Sequence, residues 1–169
     1  MQPREKTIRL IIADDHLIVR EGLRLILEGQ PDFTIAADAV DGATAVRLAE
    51  ELQPDVMLMD LRMPGIDGLQ AIEQIRGRWP HIAIVILTTY DDDELMLRGL
   101  RAGAAGYLIK DTGREALYHA IRAAARGETL ISTEVMSRLL SHATVSRAQE
   151  PGASTDMEIT AREREVLEG

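Results

Sequence analysis

Five short, largely apolar runs divide the chain at fairly regular intervals. They lie at residues 8–13, 33–37, 56–59, 82–87 and 106–109. A run this short, bounded by polar residues, Pro or Gly, is typical of a strand buried on both faces of a sheet. We therefore predict five strands at these positions.

The segments that follow the runs repeat apolar residues every three or four positions, which predicts helices. The first helix covers Leu17–Glu28, and Gly29 marks its end. Four more helices are indicated by the apolar sets Ala45/Leu48/Ala49/Leu52 and Leu69/Ile72/Ile75, by the segment from Asp91 to Gly103, and by Leu117/Ile121/Ala124. Strands that alternate with helices predict an α/β fold with a parallel sheet covered on both faces.

Polar side chains follow four of the predicted strands. They are Asp14 and Asp15, Asp60, Thr88 and Lys110. The carboxyl ends of parallel strands meet at one edge of a sheet, which is where ligands bind in open α/β folds. Three carboxylates there repel each other unless a cation lies among them, and Mg²⁺ (or Mn²⁺) suits oxygen ligands. A metal, a lysine and a hydroxyl favour a phosphoryl group, toward which an aspartate can act as nucleophile.

The composition of the chain limits the classes of partner that it can bind. The net charge is −9 and aromatic residues make up 3%, which argues against nucleic-acid binding by this chain. The chain has no cysteine, its polar N-terminus does not resemble a signal peptide, and no apolar run approaches the ~20 residues of a membrane helix. We expect a cytoplasmic protein without membrane contact.

The pattern changes after Gly127. Residues 129–156 are predicted to form a linker with one helix at about 132–143, and its second part is rich in Ser, Thr, Pro and Gly. Residues 157–169 begin another helix, in which Thr160 and Glu163 fit a capping box.

Four motifs together resemble those of two-component response regulators of the NarL/FixJ (LuxR-type) subfamily. They are IADDH at 12–16, MDLRMPGIDG at 59–68, LTT at 87–89 and GAAGYLIKD at 103–111. The resemblance implies a receiver domain over residues 7–128: a flavodoxin-like, doubly wound (βα)5 fold with strand order 2-1-3-4-5 and a C-terminal helical linker. Residues 157–169 resemble the first helix of a LuxR-type DNA-binding domain, cut short.

The resemblance also implies roles around the metal. Asp60 is the expected phosphoacceptor. Asp15, Asp60 and the backbone carbonyl of Arg62 are the expected Mg²⁺ ligands, and Asp14 is expected to act through water. His16 lies beside these acids, but the four histidines are scattered, so we expect His16 to be structural or to face solvent.

Three further residues complete the expected machinery. Lys110 pairs with Asp60 and then with the phosphoryl oxygens, Thr88 hydrogen-bonds the phosphoryl group, and Tyr107 is the switch aromatic that turns inward when Thr88 moves. The expected partners are a sensor histidine kinase, a second copy of the chain after phosphorylation, and promoter DNA for the full-length protein only. We predict no DNA-binding residues in this chain.

Two alternatives remain beside this signalling switch, which is not an enzyme in the usual sense. A free-standing receiver would act by protein contacts alone. A phosphohydrolase with an aspartyl nucleophile, of the haloacid dehalogenase type, would carry a second Asp two residues after the first, where this chain has Arg62.

Overall fold

The computed structural model describes residues 7–88, 93–110, 112–129, 136–137 and 140–141. Five strands and five helices alternate along the chain. The strands are β1 (Ile8–Ala13), β2 (Phe33–Ala39), β3 (Val56–Asp60), β4 (Ala83–Thr88) and β5 (Gly106–Ile109). The helices are α1 (Leu17–Glu28), α2 (Gly42–Leu52), α3 (Gly68–Arg78), α4 (Asp93–Arg101) and α5 (Arg114–Ala125).

All strand pairs are parallel, and the sheet order is β2-β1-β3-β4-β5. The predicted fold class and strand order are therefore confirmed. The register pairs Ala13 with Met59 and Asp60 with Leu87. The carboxyl ends of the central strands thus lie side by side, with the strand-end acids at the same edge.

The core has two layers because successive strand residues point to opposite faces of the sheet. On one face, Leu10, Leu58 and Val85 form a buried cluster with Leu117 and Ile121 of α5. On the other face lie strand residues of the opposite parity, which are also buried: Ile11, Met57, Ile84 and Ile86. Helix α4 packs on that face, since a Cβ at Gly99 would meet the side chain of Ile86.

Three strands extend beyond the prediction at their carboxyl ends. β2 extends to Ala39, β3 to Asp60 and β4 to Thr88. Asp38, Asp60 and Thr88 are polar, so hydrophobic patterning ended these strands too early, whereas the backbone ladder continues through them.

The loop after β3 has the turn chemistry that its sequence requires. Gly65 has φ 70°, a conformation that glycine adopts without steric cost. Asp67 then caps α3 through a reciprocal capping box with Gln70. The capping box fixes the start of α3 and thereby the end of the loop that follows Asp60.

The chain divides into two compact units, Met1–Ser132 and Thr133–Gly169. In the second unit, residues 136–137 and 140–141 are helical, within the predicted helix 132–143. The predicted linker segment 144–156 and the final segment 157–169 lie outside the described residues. Among the helices that the structure describes, none combines the length and apolarity needed to cross a membrane.

Candidate functional site

Asp60 is the last residue of β3 and is 4% exposed. Its Oδ1 accepts a hydrogen bond of 3.2 Å from the backbone N–H of Arg62. Gly68, the first residue of α3, packs directly against the backbone of Asp60 and Leu61, where a Cβ would overlap the Asp60 carbonyl. Strand, turn and helix start together fix the position of this carboxylate.

Lys110 joins Asp60 to Asp14 across the sheet edge. Its Nζ lies 2.9 Å from Asp14 Oδ2 and 3.2 Å from Asp60 Oδ2. The backbone N–H of Lys110 donates to the carbonyl of Thr88 at 2.7 Å, so the end of β4 positions the lysine. Asp14 is 2% exposed. Two buried carboxylates therefore share one ammonium group.

Burial and neighbouring charges have opposing effects on the pKa values of Asp60 and Lys110. Burial raises the pKa of Asp60, and the nearby Asp14 carboxylate raises it further, against the lowering effects of the Arg62 N–H and Lys110. Burial alone would lower the pKa of Lys110, but the hydrogen bond to Asp14 and the attraction of both carboxylates raise it overall. Lys110 therefore stays positively charged, and its single charge does not neutralise both carboxylates.

Asp15 and His16 complete the cluster at its outer side. The Asp15 side chain is 32% exposed, and that of His16 is 65% exposed. His16 Nδ1 lies 3.1 Å from an oxygen of Asp14 and 3.1 Å from an oxygen of Asp15. The histidine, which sequence reasoning set aside, therefore contacts both acids; its position directly after the acid pair was the available signal.

Thr88, Tyr107 and Arg62 belong to the strands and the loop that border this centre. Thr88 is the last residue of β4 and is 1% exposed. Tyr107 is 2% exposed, so its ring lies inward, and its backbone pairs with Ile86 in the sheet. Arg62 contributes its backbone N–H to Asp60. Thr89 and Asp111, which belong to the same motifs, lie outside the described residues.

The donor set fits a divalent cation. One ligand atom from each of Asp14, Asp15, His16 and Asp60 can be chosen so that all lie within 4.8 Å of one another. Asp14 Oδ2 is buried, and the Lys110 ammonium lies 2.9 Å from it. Three carboxylates against one lysine leave negative charge that a cation would offset.

Comparison with known proteins places these features in a family. The model for the response regulator receiver domain matches residues 10–122. Transcriptional regulatory protein YdfI of Bacillus subtilis is 50% identical over 131 residues, which cover 78% of this chain and 61% of that protein. The transcriptional regulatory protein YxjL of the same organism is 43% identical over 161 residues, covering 95% and 74%. The chain thus spans less than two thirds of YdfI and about three quarters of YxjL.

A solved structure shows the same architecture. The crystal structure of a two-component response regulator of the LuxR family from Aurantimonas is 34% identical, with a TM-score of 0.76. The match covers 82% of this chain and 99% of that one.

Proposed function

The chain belongs to the response regulator receiver domain family, and from this membership we propose that Asp60 accepts a phosphoryl group from a phosphohistidine of a sensor histidine kinase. The observation that carries the proposal is the contact of one lysine with two buried acids: Lys110 Nζ lies 2.9 Å from Asp14 and 3.2 Å from Asp60 at the carboxyl edge of the sheet. Such a site has a nucleophile, a fixed cation and more carboxylates than the lysine alone can neutralise.

The transfer exchanges one bond to phosphorus for another. An oxygen of the Asp60 carboxylate attacks the phosphorus, and the bond from phosphorus to the imidazole nitrogen of the donor breaks. The donor ring carries a proton on its other nitrogen, so it takes the bonding pair and leaves as neutral imidazole. Lys110 neutralises charge that spreads over the phosphoryl oxygens, and the Thr88 hydroxyl donates a hydrogen bond to one of them. The Arg62 N–H holds Asp60 Oδ1 in place during the attack.

Magnesium would be held by Asp15, Asp60 and the Arg62 carbonyl, with Asp14 acting through water. When bound, it supplies positive charge that screens the approaching phosphoryl group from the acids. The nearby Asp14, Asp15 and Asp60 carboxylates support this part of the proposal.

The output of the switch is a change in association. Phosphorylation draws Thr88 toward the phosphoryl group, the already buried Tyr107 ring is held inward, and the surface built by α4, β5 and α5 changes. The modified chain then forms a homodimer, and the full-length protein controls transcription at promoter DNA. The names of YdfI and YxjL as transcriptional regulatory proteins support this last step.

The test uses a small phosphodonor. Incubation of the chain with acetyl phosphate and Mg²⁺ is expected to add one phosphoryl group, as measured by intact mass. Asp60→Asn abolishes the addition, whereas Asp55→Asn does not, because Asp55 lies at the other end of β3 and bonds the backbone N–H of Arg9. Equal labelling of Asp60→Asn and the parent chain refutes the proposal.

The dimer is tested separately. Sedimentation velocity with beryllofluoride and Mg²⁺ is expected to show a larger species than without the mimic. If the mimic binds and the sedimentation coefficient stays the same, association is not the output of this domain.

A further inference from the structure

Arg20 of α1 contacts the backbone of the acid cluster formed by Asp14, Asp15 and Asp60, and its side chain is 11% exposed. Its Nη1 donates to the backbone carbonyl of Asp14 at 2.9 Å. Its Nε donates to Asp38 Oδ2 at 3.0 Å, at the penultimate residue of β2. One guanidinium therefore joins α1, the residue after β1 and the end of β2.

The carbonyl that Arg20 contacts belongs to the peptide group between the two acids. The atoms of this group, from the Cα of Asp14 to the Cα of Asp15, are coplanar, so a hydrogen bond to the oxygen restrains both residues. The preceding peptide is held from β2, since the N–H of Asp14 donates to the carbonyl of Ala39 at 3.0 Å. Because β1 ends at Ala13, Arg20 extends this hold to the residues beyond the strand.

We propose that Arg20 is a positioning residue for the cation site: it fixes the peptide between Asp14 and Asp15, so that both carboxylates keep the directions in which a divalent ion binds among the acids. Asp38 holds the guanidinium in the orientation that this contact requires. The inference rests on the proposed function, which places the ion at the acid cluster. It adds a residue that acts on the ion through the backbone.

The geometry and the charge of Arg20 affect cation binding in opposite directions. The N–H groups of a guanidinium form a planar fork, so the ion pair with Asp38 also sets the direction in which Nη1 donates. The positive charge, in contrast, repels a divalent cation at the nearby acids. Loss of the positioning contact therefore weakens cation binding, whereas loss of the charge alone would strengthen it.

Binding of Mn²⁺ to the chain, followed by the loss of the free-ion electron paramagnetic resonance signal, measures the affinity of the site. Competition by Mg²⁺ gives the affinity for that ion. Arg20→Met is expected to weaken the binding of both ions by about tenfold or more, as the loss of a group that orients metal ligands does. Arg20→Lys keeps the charge without the planar fork and is expected to weaken binding by about threefold or more.

Arg24→Met is the matched control, since Arg24 lies one turn further along α1 and also faces Asp38, with Nη2 at 3.6 Å from Oδ1. Its Nη1 lies 3.7 Å from Glu28. This variant removes the same charge from the same helix, so the affinity should stay within about twofold of the parent chain. The backbone amide resonance of Asp15 gives a readout without metal. Its shift should be larger in Arg20→Met than in Arg24→Met, because this peptide group loses its hydrogen bond.

Cation binding by Arg20→Met that equals or exceeds that of the parent chain overturns the proposal. If this variant does not fold, Arg20→Lys decides: an unchanged affinity overturns the proposal and a weakened one supports it. If Asp60 takes no phosphoryl group but Arg20→Met binds cations weakly, the positioning role stands without the proposed function. If Asp60 is phosphorylated and Arg20→Met binds cations as the parent chain does, the inference about Arg20 is wrong and the proposed function stands.

Discussion

Arg122 of α5 connects this helix to the segment before β2, at the edge of the sheet opposite the candidate site. Its guanidinium donates to both carboxylate oxygens of Asp32 at 2.9 Å and to Gln30 at 2.7 Å. It also lies over the rings of Phe33 and Tyr118, at 4.9 and 5.6 Å from their centroids. The residue thus joins the last helix to the start of β2 by charge, hydrogen bonding and stacking.

A pH dependence follows from this ion pair. The hydrogen bond from Arg122 lowers the pKa of Asp32 in the folded chain. A lowered carboxyl pKa stabilises the fold above the unfolded pKa of about 3.9, and this stabilisation is lost as pH falls through the folded pKa. Asp32→Asn is therefore expected to cost about 0.5 kcal/mol near neutral pH, since both side chains are partly exposed. The cost should shrink below about pH 4, as measured by urea unfolding.

Gln30→Ala is the matched control for this pH dependence. It removes a neutral partner of the same guanidinium, so its cost should not change with pH across that range. A cost of Asp32→Asn that grows as the pH falls would show that the sign assigned to this pair is wrong.

At single residues, sequence reasoning found the chemical groups but not all of their contacts. Asp60, Asp14, Asp15, Thr88 and Lys110 could be identified because each lies at the end of an apolar run or directly after it. The resemblance implies a pairing of Lys110 with Asp60, but not with the nearer Asp14, because contact distances depend on how the strand ends stagger across the sheet. The contacts of Arg122 with Asp32 join residues 90 positions apart, and no local pattern indicates such a pair.

Helix α3 starts against the strand that carries Asp60, and Gly68 makes that approach possible. A Cβ at Gly68 would overlap the carbonyl of Asp60 and lie 2.6 Å from the Cα of Leu61. Both atoms belong to the backbone, so they cannot rotate away as the end of a side chain can. Gly68→Ala is expected to destabilise the fold by about 1–3 kcal/mol, measured by denaturant unfolding, and to slow phosphorylation by displacing Asp60.

Gly77→Ala provides the comparison within the same helix. Nothing lies within 4 Å of a Cβ at Gly77, and alanine is the better helix former by about 1 kcal/mol. This substitution should leave stability unchanged or raise it slightly. If the two variants were equally stable, the close approach at Gly68 would not constrain the loop.

At the level of elements, periodicity predicted every strand and helix of the receiver because buried strands and amphipathic helices have distinct repeats. Strand ends were less accurate, as β2, β3 and β4 show, since each has a polar residue at or next to its carboxyl end. The approach of Gly68 to Asp60 could not be predicted from the sequence alone, because glycine is also common at turns and helix starts where no other backbone lies close.

In the whole molecule, the order of the strands brings distant parts of the chain into one centre. β1, β3 and β5 deliver Asp14, Asp60 and Lys110, which are 46 and 50 residues apart in sequence, to contact distance. Strand order came from the resemblance to a family, since alternation of strands and helices predicts a parallel sheet without fixing which strands are neighbours. The proposed function depends on this convergence, because none of these residues has unusual chemistry by itself.

The most direct test of the account is to locate the phosphoryl group. The chain is phosphorylated with acetyl phosphate and Mg²⁺ and then reduced with borohydride, which converts an aspartyl phosphate to homoserine, and the peptides are mapped by mass spectrometry. The account predicts homoserine at position 60 and at no other aspartate. Homoserine at Asp14 or Asp15 with Asp60 unmodified, or none at any aspartate, would contradict it.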